Sequence, residues 1–316
     1  MIIRLGTRGS KLAIAQSEWV KRRIISRYPD IQVEITRIRT KGDRMLDTPL
    51  SRIGGKGLFV KEIEDAILDG RIDIAVHSMK DLPVVLPDGL EISAVPERED
   101  PRDAFLSANY RSIGDLPEKG RVGTSSLRRR AQILYLRPDL EVVQLRGNVD
   151  TRIRKLKEGE FDAIVLASAG LKRIGYQEII REYIAEEIIV PAIGQGALAI
   201  ESRSNDQRIE KIISFLDHAP SRIEVEAERS FLRELEGGCQ VPIGAICRYL
   251  GDTIRISGMV AEINGSKMVK DVITADSHQP HEAGVRLAKN LLNTGARTIL
   301  EEIYGDLKKV ENERFK

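Results

Sequence analysis

Several features that assign a protein to a class at once are rare in this sequence. The 316 residues include only two cysteines, Cys239 and Cys247, so no disulfide framework is expected. The apolar runs stay well short of the ~18–20 residues that a membrane-spanning helix needs. Charged residues near the amino terminus interrupt the apolar stretch that a signal peptide requires. The sequence therefore predicts a cytoplasmic protein with no membrane segment.

Signatures of common cofactors and of nucleic-acid binding are also missing. Residues 53–58 are rich in glycine but lack the spacing of a nucleotide phosphate loop. The four histidines and two cysteines show no zinc-ligand spacing. Aromatic residues make up only 4% of the chain, and the net charge is only +2, whereas nucleic-acid-binding proteins usually carry a basic domain. We therefore expect no metal and no nucleic-acid partner.

What the sequence does contain is an alternation of strand and helix patterns. Residues 2–6 predict a strand, Ser10 is a predicted N-cap for the following helix, and 31–35 alternate as a second strand does. A later helix ends at Gly70 and leads into a buried strand at 72–76. This order is typical of a mainly parallel sheet with helices on its faces. The first helix is predicted to bury Leu12, Ala15, Trp19 and Val20.

The pattern restarts near residue 120. Residues 121–127 repeat the strand, Gly-Thr, Ser and helix order of residues 4–12, which predicts two related lobes facing one another across a cleft. Ligands would then contact strand C-termini and helix N-termini. The alternative is that Gly-Thr-Ser serves only as turn and capping chemistry. The helix of this second unit is predicted to bury Leu127, Ala131, Leu134 and Tyr135.

The last third of the chain has a different pattern. A helix at 221–235 is followed by a Gly-Gly-Cys segment, by three alternating segments within 245–273, and by a helical stretch after Pro280. Neighbouring strands joined by short turns indicate an antiparallel sheet. We therefore expect a separate α+β domain here.

One segment carries reactive side chains across the end of a predicted strand. His77, Ser78, Lys80 and Asp81 follow a buried apolar run, at the edge where α/β sheets bind ligands. An Asp beside a Lys in a cleft can exchange protons or stabilise a developing cation. The alternative is a solvated loop with an incidental Lys–Asp pair.

The two cysteines have different surroundings. Cys239 lies between two glycines and a glutamine, where the backbone can be unusual and a thiol can be exposed enough to bond covalently. The alternative is a buried cysteine at a tight turn. Cys247 lies within a strand pattern, and we assign it to packing.

Basic residues gather at predicted strand-to-helix junctions. Guanidinium groups bind carboxylates with two parallel hydrogen bonds, so several at one cleft would hold a polyanion. A solvated arginine face explains any single one of them but does not predict their shared placement. The residues are Arg8, Lys56, Arg128, Arg129, Arg146 and Arg152.

Eight short segments spread over nearly the whole chain form a recognisable series. They are GTRGSKLA (6–13), GGKGLF (54–59), VHSMKDLP (76–83), EDPRD (99–103), GTSSLRR (123–129), LRGN (145–148), PAIGQG (191–196) and LEGGCQVP (235–242). In this order they resemble the hydroxymethylbilane synthases, or porphobilinogen deaminases. Departures are small, since Gly9 and Lys11 vary the first segment and Arg130 extends the arginine pair.

The resemblance implies a three-domain α/β fold. The first two domains would be similar to the lobes of type II periplasmic binding proteins, with mainly parallel sheets, and the third would be an α+β domain with an antiparallel sheet. The implied boundaries are residues 1–96 with 197–215 for the first lobe, 101–190 for the second, and 219–316 for the cofactor-attachment domain.

The resemblance also implies the activity. Four porphobilinogen molecules would be condensed head to tail with loss of ammonia, giving linear hydroxymethylbilane for tetrapyrrole biosynthesis. A dipyrromethane cofactor would be attached to Cys239 through a thioether, and the protein would be a monomer. Asp81 is implied as the catalytic residue. Substrate binding is implied for Arg8, Ser10, Lys56, Arg146, Arg152 and Arg173, and cofactor binding for Lys80, Ser126, Arg128 and Arg129.

Two competing functions are weighed against this one. A non-catalytic two-lobed binding protein would explain the repeated lobes but not the Gly-Gly-Cys domain, and it would normally carry an export signal. A nucleic-acid-binding protein would use the cluster at 128–130, but the nearly neutral net charge argues against it.

Overall fold

The computed structural model describes residues 1–44, 60–236 and 241–314, which form three β-sheets with helices packed against them. The strands are β1 (Ile2–Thr7), β2 (Gln32–Arg37), β3 (Ile74–Ser78), β4 (Leu90–Ala94), β5 (Asp103–Leu106), β6 (Arg121–Gly123), β7 (Glu141–Val143), β8 (Ala163–Ala167), β9 (Glu182–Ile184), β10 (Leu198–Arg203), β11 (Ile243–Tyr249), β12 (Thr253–Ala261) and β13 (Met268–Asp276). The helices are α1 (Lys11–Arg27), α2 (Lys41–Arg44), α3 (Lys61–Leu68), α4 (Leu127–Leu136), α5 (Val149–Lys157), α6 (Ser168–Arg173), α7 (Gln207–Ile213), α8 (Ala219–Glu234), α9 (Pro280–Leu291) and α10 (Arg297–Arg314). Short 3₁₀ turns cover Met79–Asp81, Gln177–Ile179 and Ser214–Leu216, and a π-helical turn, Leu292–Ala296, joins α9 to α10.

The first sheet combines amino-terminal strands with one strand from much later in the chain. Its order is β2-β1-β3-β10-β4, in which β1 is parallel to β2 and β3 while β10 is antiparallel to both of its neighbours. The alternating residues Ile3 and Leu5 of β1 pack with Val20 and Ile24 of α1, and all four are fully buried. We call this sheet with α1, α3 and α7 lobe 1.

The second sheet has the same plan. Its order is β7-β6-β8-β5-β9, with β6 parallel to β7 and β8 and with β5 antiparallel to β8 and β9. In each sheet the reversed strand therefore occupies the fourth place and the other four strands share one direction. We call this sheet with α4, α5 and α6 lobe 2. The prediction of two α/β lobes with mainly parallel sheets is confirmed.

The C-terminal sheet is antiparallel, in the order β11-β12-β13, which confirms the predicted α+β unit. Helices α8 and α9 cover one face, where Phe231 and Leu287 enter the core. Gly258 lets them approach, because a Cβ atom there would lie only 2.7 Å from Phe231 Cζ. On another side, Met259 packs with Ala131 of α4 in lobe 2. Within the described residues, no helix combines the length and apolarity needed to cross a membrane.

Two connecting segments, one between β4 and β5 and one between β9 and β10, run side by side. The amide of Glu99 donates to the Gly196 carbonyl at 3.3 Å. Gly196 has a φ of +91°, and a Cβ atom there would lie 2.2 Å from the backbone carbonyl oxygen of Glu99. Only glycine fits both the conformation and the contact.

Three local predictions were wrong. Trp19 is 37% exposed and Tyr135 is 51% exposed, so neither faces inward. The buried face of α1 includes the polar residues Gln16 and Ser17, which an apolar periodicity does not detect. The strand predicted at 72–76 instead spans Ile74–Ser78.

Candidate active site

A cavity of about 850 Å³ lies between lobe 1 and lobe 2. Its lining includes nine Lys or Arg residues and two Asp residues. Eight residues that the family resemblance implied for catalysis, substrate binding or cofactor binding line it together, namely Arg8, Ser10, Lys80, Asp81, Arg129, Arg146, Arg152 and Arg173. Ser126 and Arg128 are absent from this lining, and Lys56 and Cys239 lie outside the described residues.

Two helices begin at the cavity. Ser10 caps α1 by accepting from the Ala13 amide at 3.2 Å, which confirms the predicted cap. Asn148 caps α5 in the same way, accepting from the Thr151 amide at 3.0 Å. Helix N-termini carry partial positive charge, so both favour an anion in the cavity.

The turn that carries Lys80 and Asp81 is anchored by the residue before them, Met79. Met79 is buried, and its amide donates to the Ala197 carbonyl at 3.0 Å. Asp81 is exposed to solvent, while Lys80 Nζ lies 3.4 Å from Gln195 Oε1. Burial lowers the pKa of Lys80 to about 8, with Arg129 adding to this effect and Asp81 opposing it.

Lobe 2 supplies a row of arginines. The Nε atom of Arg152 donates to the Gly147 carbonyl at 2.8 Å, and Gly147 has a φ of +107°, which lets the chain turn there. Burial, with a further contribution from the like charges of Arg129 and Arg146, lowers the pKa of Arg152 to about 10.

Arg173 lies next to a connecting segment, where its Nη2 donates to the Gly196 carbonyl at 2.6 Å. Burial lowers the pKa of Arg173 to about 10, and Glu99 opposes this only in part. Within the described residues, neither Arg152 nor Arg173 has a carboxylate at ion-pair distance. Burial is the largest cause of both lowered pKa values, and a bound polycarboxylate would stabilise the charged form of these guanidinium groups.

A buried network lies beneath Lys80. Asp103 is fully buried and accepts from Arg129 Nη2 at 2.7 Å, from Arg128 Nη1 at 2.8 Å and from Gln195 Nε2 at 2.8 Å. Burial alone would raise the pKa of Asp103, but the two guanidinium groups outweigh it and hold the pKa far below the usual range. Sequence reasoning missed Asp103 and Gln195 as parts of the site.

The other residues of the strand-end segment divide between two faces. Ser78 lines the cavity and accepts from Gln16 Nε2 at 2.9 Å. His77 instead points to a buried acidic pair, with its Nε2 2.9 Å from Glu201 Oε2. Burial, followed by the charge of Glu201, raises the pKa of neighbouring Glu64 to about 7. His77 is therefore not among the cavity residues.

Residues flanking the Gly-Gly-Cys segment lie near the arginine network. The Ala245 amide donates to the Pro191 carbonyl at 3.1 Å, and a Cβ atom on Gly244 would lie 3.2 Å from Arg128 Cδ. On the other side, Tyr304 of α10 donates its hydroxyl to the Glu236 carbonyl at 2.9 Å. Gly244 of β11 therefore lies beside Arg128.

Comparison with known proteins matches the sequence to a family. The family model described as porphobilinogen deaminase, dipyromethane cofactor binding domain, matches residues 3–211, and the porphobilinogen deaminase C-terminal domain matches 222–293. The chain belongs to the porphobilinogen deaminase family. The porphobilinogen deaminase of Syntrophobacter fumaroxidans is 52% identical over 303 residues, which are 96% of this chain and 98% of that protein. That of Geobacter metallireducens is 51% identical over 302 residues, covering 96% and 95%.

Solved structures give a weaker likeness. A periplasmic substrate-binding protein of an ABC transporter from Coxiella burnetii has a TM-score of 0.42 and 16% identity, covering 69% of this chain and 93% of that one. A nutrient-binding protein from Burkholderia cenocepacia bound to methionine has a TM-score of 0.42 and 13% identity, covering 67% and 90%.

The residues present fit the cofactor of a porphobilinogen deaminase. A dipyrromethane carries two carboxylates on each pyrrole, and the cavity offers nine basic side chains against two acidic ones. Cys247, the other cysteine, is fully buried in β11, and burial raises its pKa, so it is a packing residue as predicted.

Proposed function

We propose that this chain carries out its family's reaction in the cavity between the lobes, with Asp81 as the catalytic carboxylate. As a porphobilinogen deaminase it is a hydroxymethylbilane synthase, which condenses four porphobilinogen molecules head to tail with loss of ammonia. The observation that carries the proposal is the exposed Asp81 on a fixed turn, facing a cavity whose lining is strongly basic.

The basic residues bind the substrate carboxylates. Charge-assisted hydrogen bonds contribute ~1.5–3 kcal/mol each, so a few of them orient a dicarboxylate firmly. Lobe 1 contributes Arg8 and Ser10, and lobe 2 contributes Arg146, Arg152 and Arg173. Lys56 belongs to the same proposed set.

Asp81 acts where positive charge develops. Loss of ammonia from porphobilinogen leaves an electron-poor azafulvene, and protonation of its ring nitrogen gives a cation. A carboxylate held beside the pyrrole nitrogens stabilises that cation and accepts or returns a proton. The position of Asp81 on a turn anchored through Met79 keeps it in place through repeated cycles.

The cofactor is assigned to the neighbouring residues. Cys239 forms the thioether. The cofactor carboxylates, or the helix and strand ends next to them, are held by Lys80, Ser126, Arg128 and Arg129. When bound, the dipyrromethane supplies the pyrrole carbon on which the product chain is begun. The placement of Gly244 beside Arg128 supports this assignment.

Further assignments belong to the same proposal. We place the domain boundaries at 1–96 with 197–215, 101–190, and 219–316, which agree with the strand membership of the three sheets. We also propose that the protein is a cytoplasmic monomer that needs no metal and binds no nucleic acid.

Replacement of Asp81 tests the catalytic assignment. We expect Asp81→Asn to keep the fold and the covalent dipyrrole, measured by circular dichroism and intact mass, while turnover of porphobilinogen falls at least ~100-fold, as for loss of a general acid–base group. Asp88→Asn, at another exposed carboxylate seven residues later, is the control and keeps normal turnover. Turnover of Asp81→Asn equal to that of the control would reject Asp81.

Intact mass also separates the three functions considered. A hydroxymethylbilane synthase carries a covalent dipyrrole that is lost in Cys239→Ser. A two-lobed binding protein or a nucleic-acid-binding protein carries none. Correctly folded protein that lacks the adduct and stays inert towards porphobilinogen after reconstitution would contradict the proposed function.

A further inference from the structure

One polar cluster joins the two lobes at the edge of the cavity. Lys11, the first residue of α1 in lobe 1, places its Nζ 3.2 Å from Asp150 Oδ1 and 3.4 Å from the Tyr176 hydroxyl. Asp150 lies in the first turn of α5, and Tyr176 follows α6, so both belong to lobe 2. We call Lys11, Asp150 and Tyr176 the cross-lobe cluster.

The acceptor half of the cluster is assembled within lobe 2. The Tyr176 hydroxyl donates to Asp150 Oδ1 at 2.7 Å and holds that carboxylate in place. Lys11 Nζ also lies 4.8 Å from the centroid of the Tyr176 ring, a cation–π distance. Lys11 is thus the contribution of lobe 1, and its removal leaves the Tyr176–Asp150 bond intact.

The cluster adjoins substrate-binding groups on both sides. Lys11 directly follows Ser10, and Asp150 lies two residues before Arg152. Helices α1 and α6 also lie close together here, since a Cβ atom built on Gly170 of α6 would lie 3.5 Å from Leu12 Cδ2. The separation of α1 from α5 therefore sets the distance between the carboxylate-binding groups of the two lobes.

We propose that Lys11, Asp150 and Tyr176 are positioning residues, which hold the substrate-binding groups of lobe 1 at the working distance from those of lobe 2. This inference rests on the proposed function. The side chains of Lys11 and Asp150 are 55% and 39% exposed, and an exposed ion pair shifts an equilibrium by no more than about fivefold. The contact can therefore open and reform as the cavity fills with a longer chain.

Steady-state kinetics of the holoenzyme with porphobilinogen test the inference. We expect Lys11→Met and Asp150→Asn each to lower kcat by about two- to fivefold, with a smaller change in KM. The double variant Lys11→Glu, Asp150→Lys restores the pair with reversed charges and recovers most of kcat. The control is Arg154→Met, which breaks an exposed ion pair between α5 and its C-cap residue Glu158 and leaves the kinetics unchanged.

A direct substrate contact gives the opposite pattern. If Lys11 binds porphobilinogen itself, Lys11→Met raises KM, Asp150→Asn lowers KM by releasing the ammonium group, and the reversed pair does not recover. That pattern, or unchanged kinetics in both single variants, overturns the inference. Failure of the proposed function is recognised separately, because wild-type protein would then carry no dipyrrole in the mass measurement.

Discussion

At the residue scale, the charge of Lys80 depends on pH within the working range of an enzyme. Burial lowers its pKa to about 8. Below that pH the side chain is charged in both the folded and the unfolded protein, so folding carries the full free-energy cost of burying the charge. As pH rises from about 8 towards the ordinary lysine value of ~10.4, the folded state loses the proton first and this cost recedes. The attraction for carboxylates is lost over the same range.

Pyrrole uptake by the apoprotein should therefore fall as pH rises through about 8. We expect Lys80→Arg, which stays charged, to lack this decline. The measurement is the rate at which apoprotein incubated with porphobilinogen gains the dipyrrole mass at each pH. Comparing the two proteins at the same pH separates Lys80 from other titrating groups, and Lys157→Arg, at an exposed lysine of α5, is the control. Identical pH profiles for Lys80→Arg and wild type would refute the assignment.

At the scale of elements, α4 carries the arginines of the buried network. Ser126 caps this helix by accepting from the Arg129 amide at 3.4 Å. The cap fixes where the helix begins and thereby which side chains reach Asp103. Ser126 thus has a structural role that is separable from its proposed contact with the cofactor.

Two replacements of Ser126 separate these roles. We expect Ser126→Ala to lower the free energy of unfolding by about 1 kcal/mol through loss of the cap. Ser126→Asp retains the cap and the stability, but its charge repels the cofactor carboxylates and slows pyrrole uptake. Urea unfolding and intact mass measure the two effects. Asp206→Ala, at the cap of α7, is the control that loses stability and keeps uptake. Normal uptake by Ser126→Asp would limit Ser126 to capping.

Helix α4 shows which features of the site could not be predicted from the sequence. The cap at Ser10 and the position of Lys80 and Asp81 just after a buried strand depend on residues a few positions apart, and these were predicted. Helix α4 instead buries Arg128, Arg129 and Gln132. The burial of the two arginines is stabilised by Asp103, 25 positions before Arg128, and only the folded sheet brings β5 beneath α4. A pattern of apolar residues contains no sign of that partner.

At the scale of the whole molecule, one carboxylate joins both connecting segments to the C-terminal domain. Glu228 of α8 is fully buried and accepts from Arg98 Nη1 at 2.6 Å and Nη2 at 3.1 Å. It also accepts from the amides of Gly194 at 2.6 Å and Cys247 at 2.8 Å. Burial raises the pKa of Glu228, although Arg98 opposes this. The Arg98–Glu228 pair thus helps to hold the two connecting segments against the C-terminal domain.

We expect removal of one charge from the buried Arg98–Glu228 pair to destabilise the fold far more than removal of one charge from a surface pair. We expect Glu228→Gln to lower the free energy of unfolding by about 3–5 kcal/mol, because buried Arg98 loses its nearest countercharge and keeps only Glu224, at 3.4 Å. The double variant Arg98→Met, Glu228→Leu removes both charges and should cost less than the sum of the single variants, as measured by urea unfolding in a double-mutant cycle. Glu158→Gln, at the exposed pair with Arg154, should change stability by less than ~1 kcal/mol. If Glu228→Gln changed stability as little as this control, backbone packing around Gly196, rather than the buried charges, would hold the connecting segments in position.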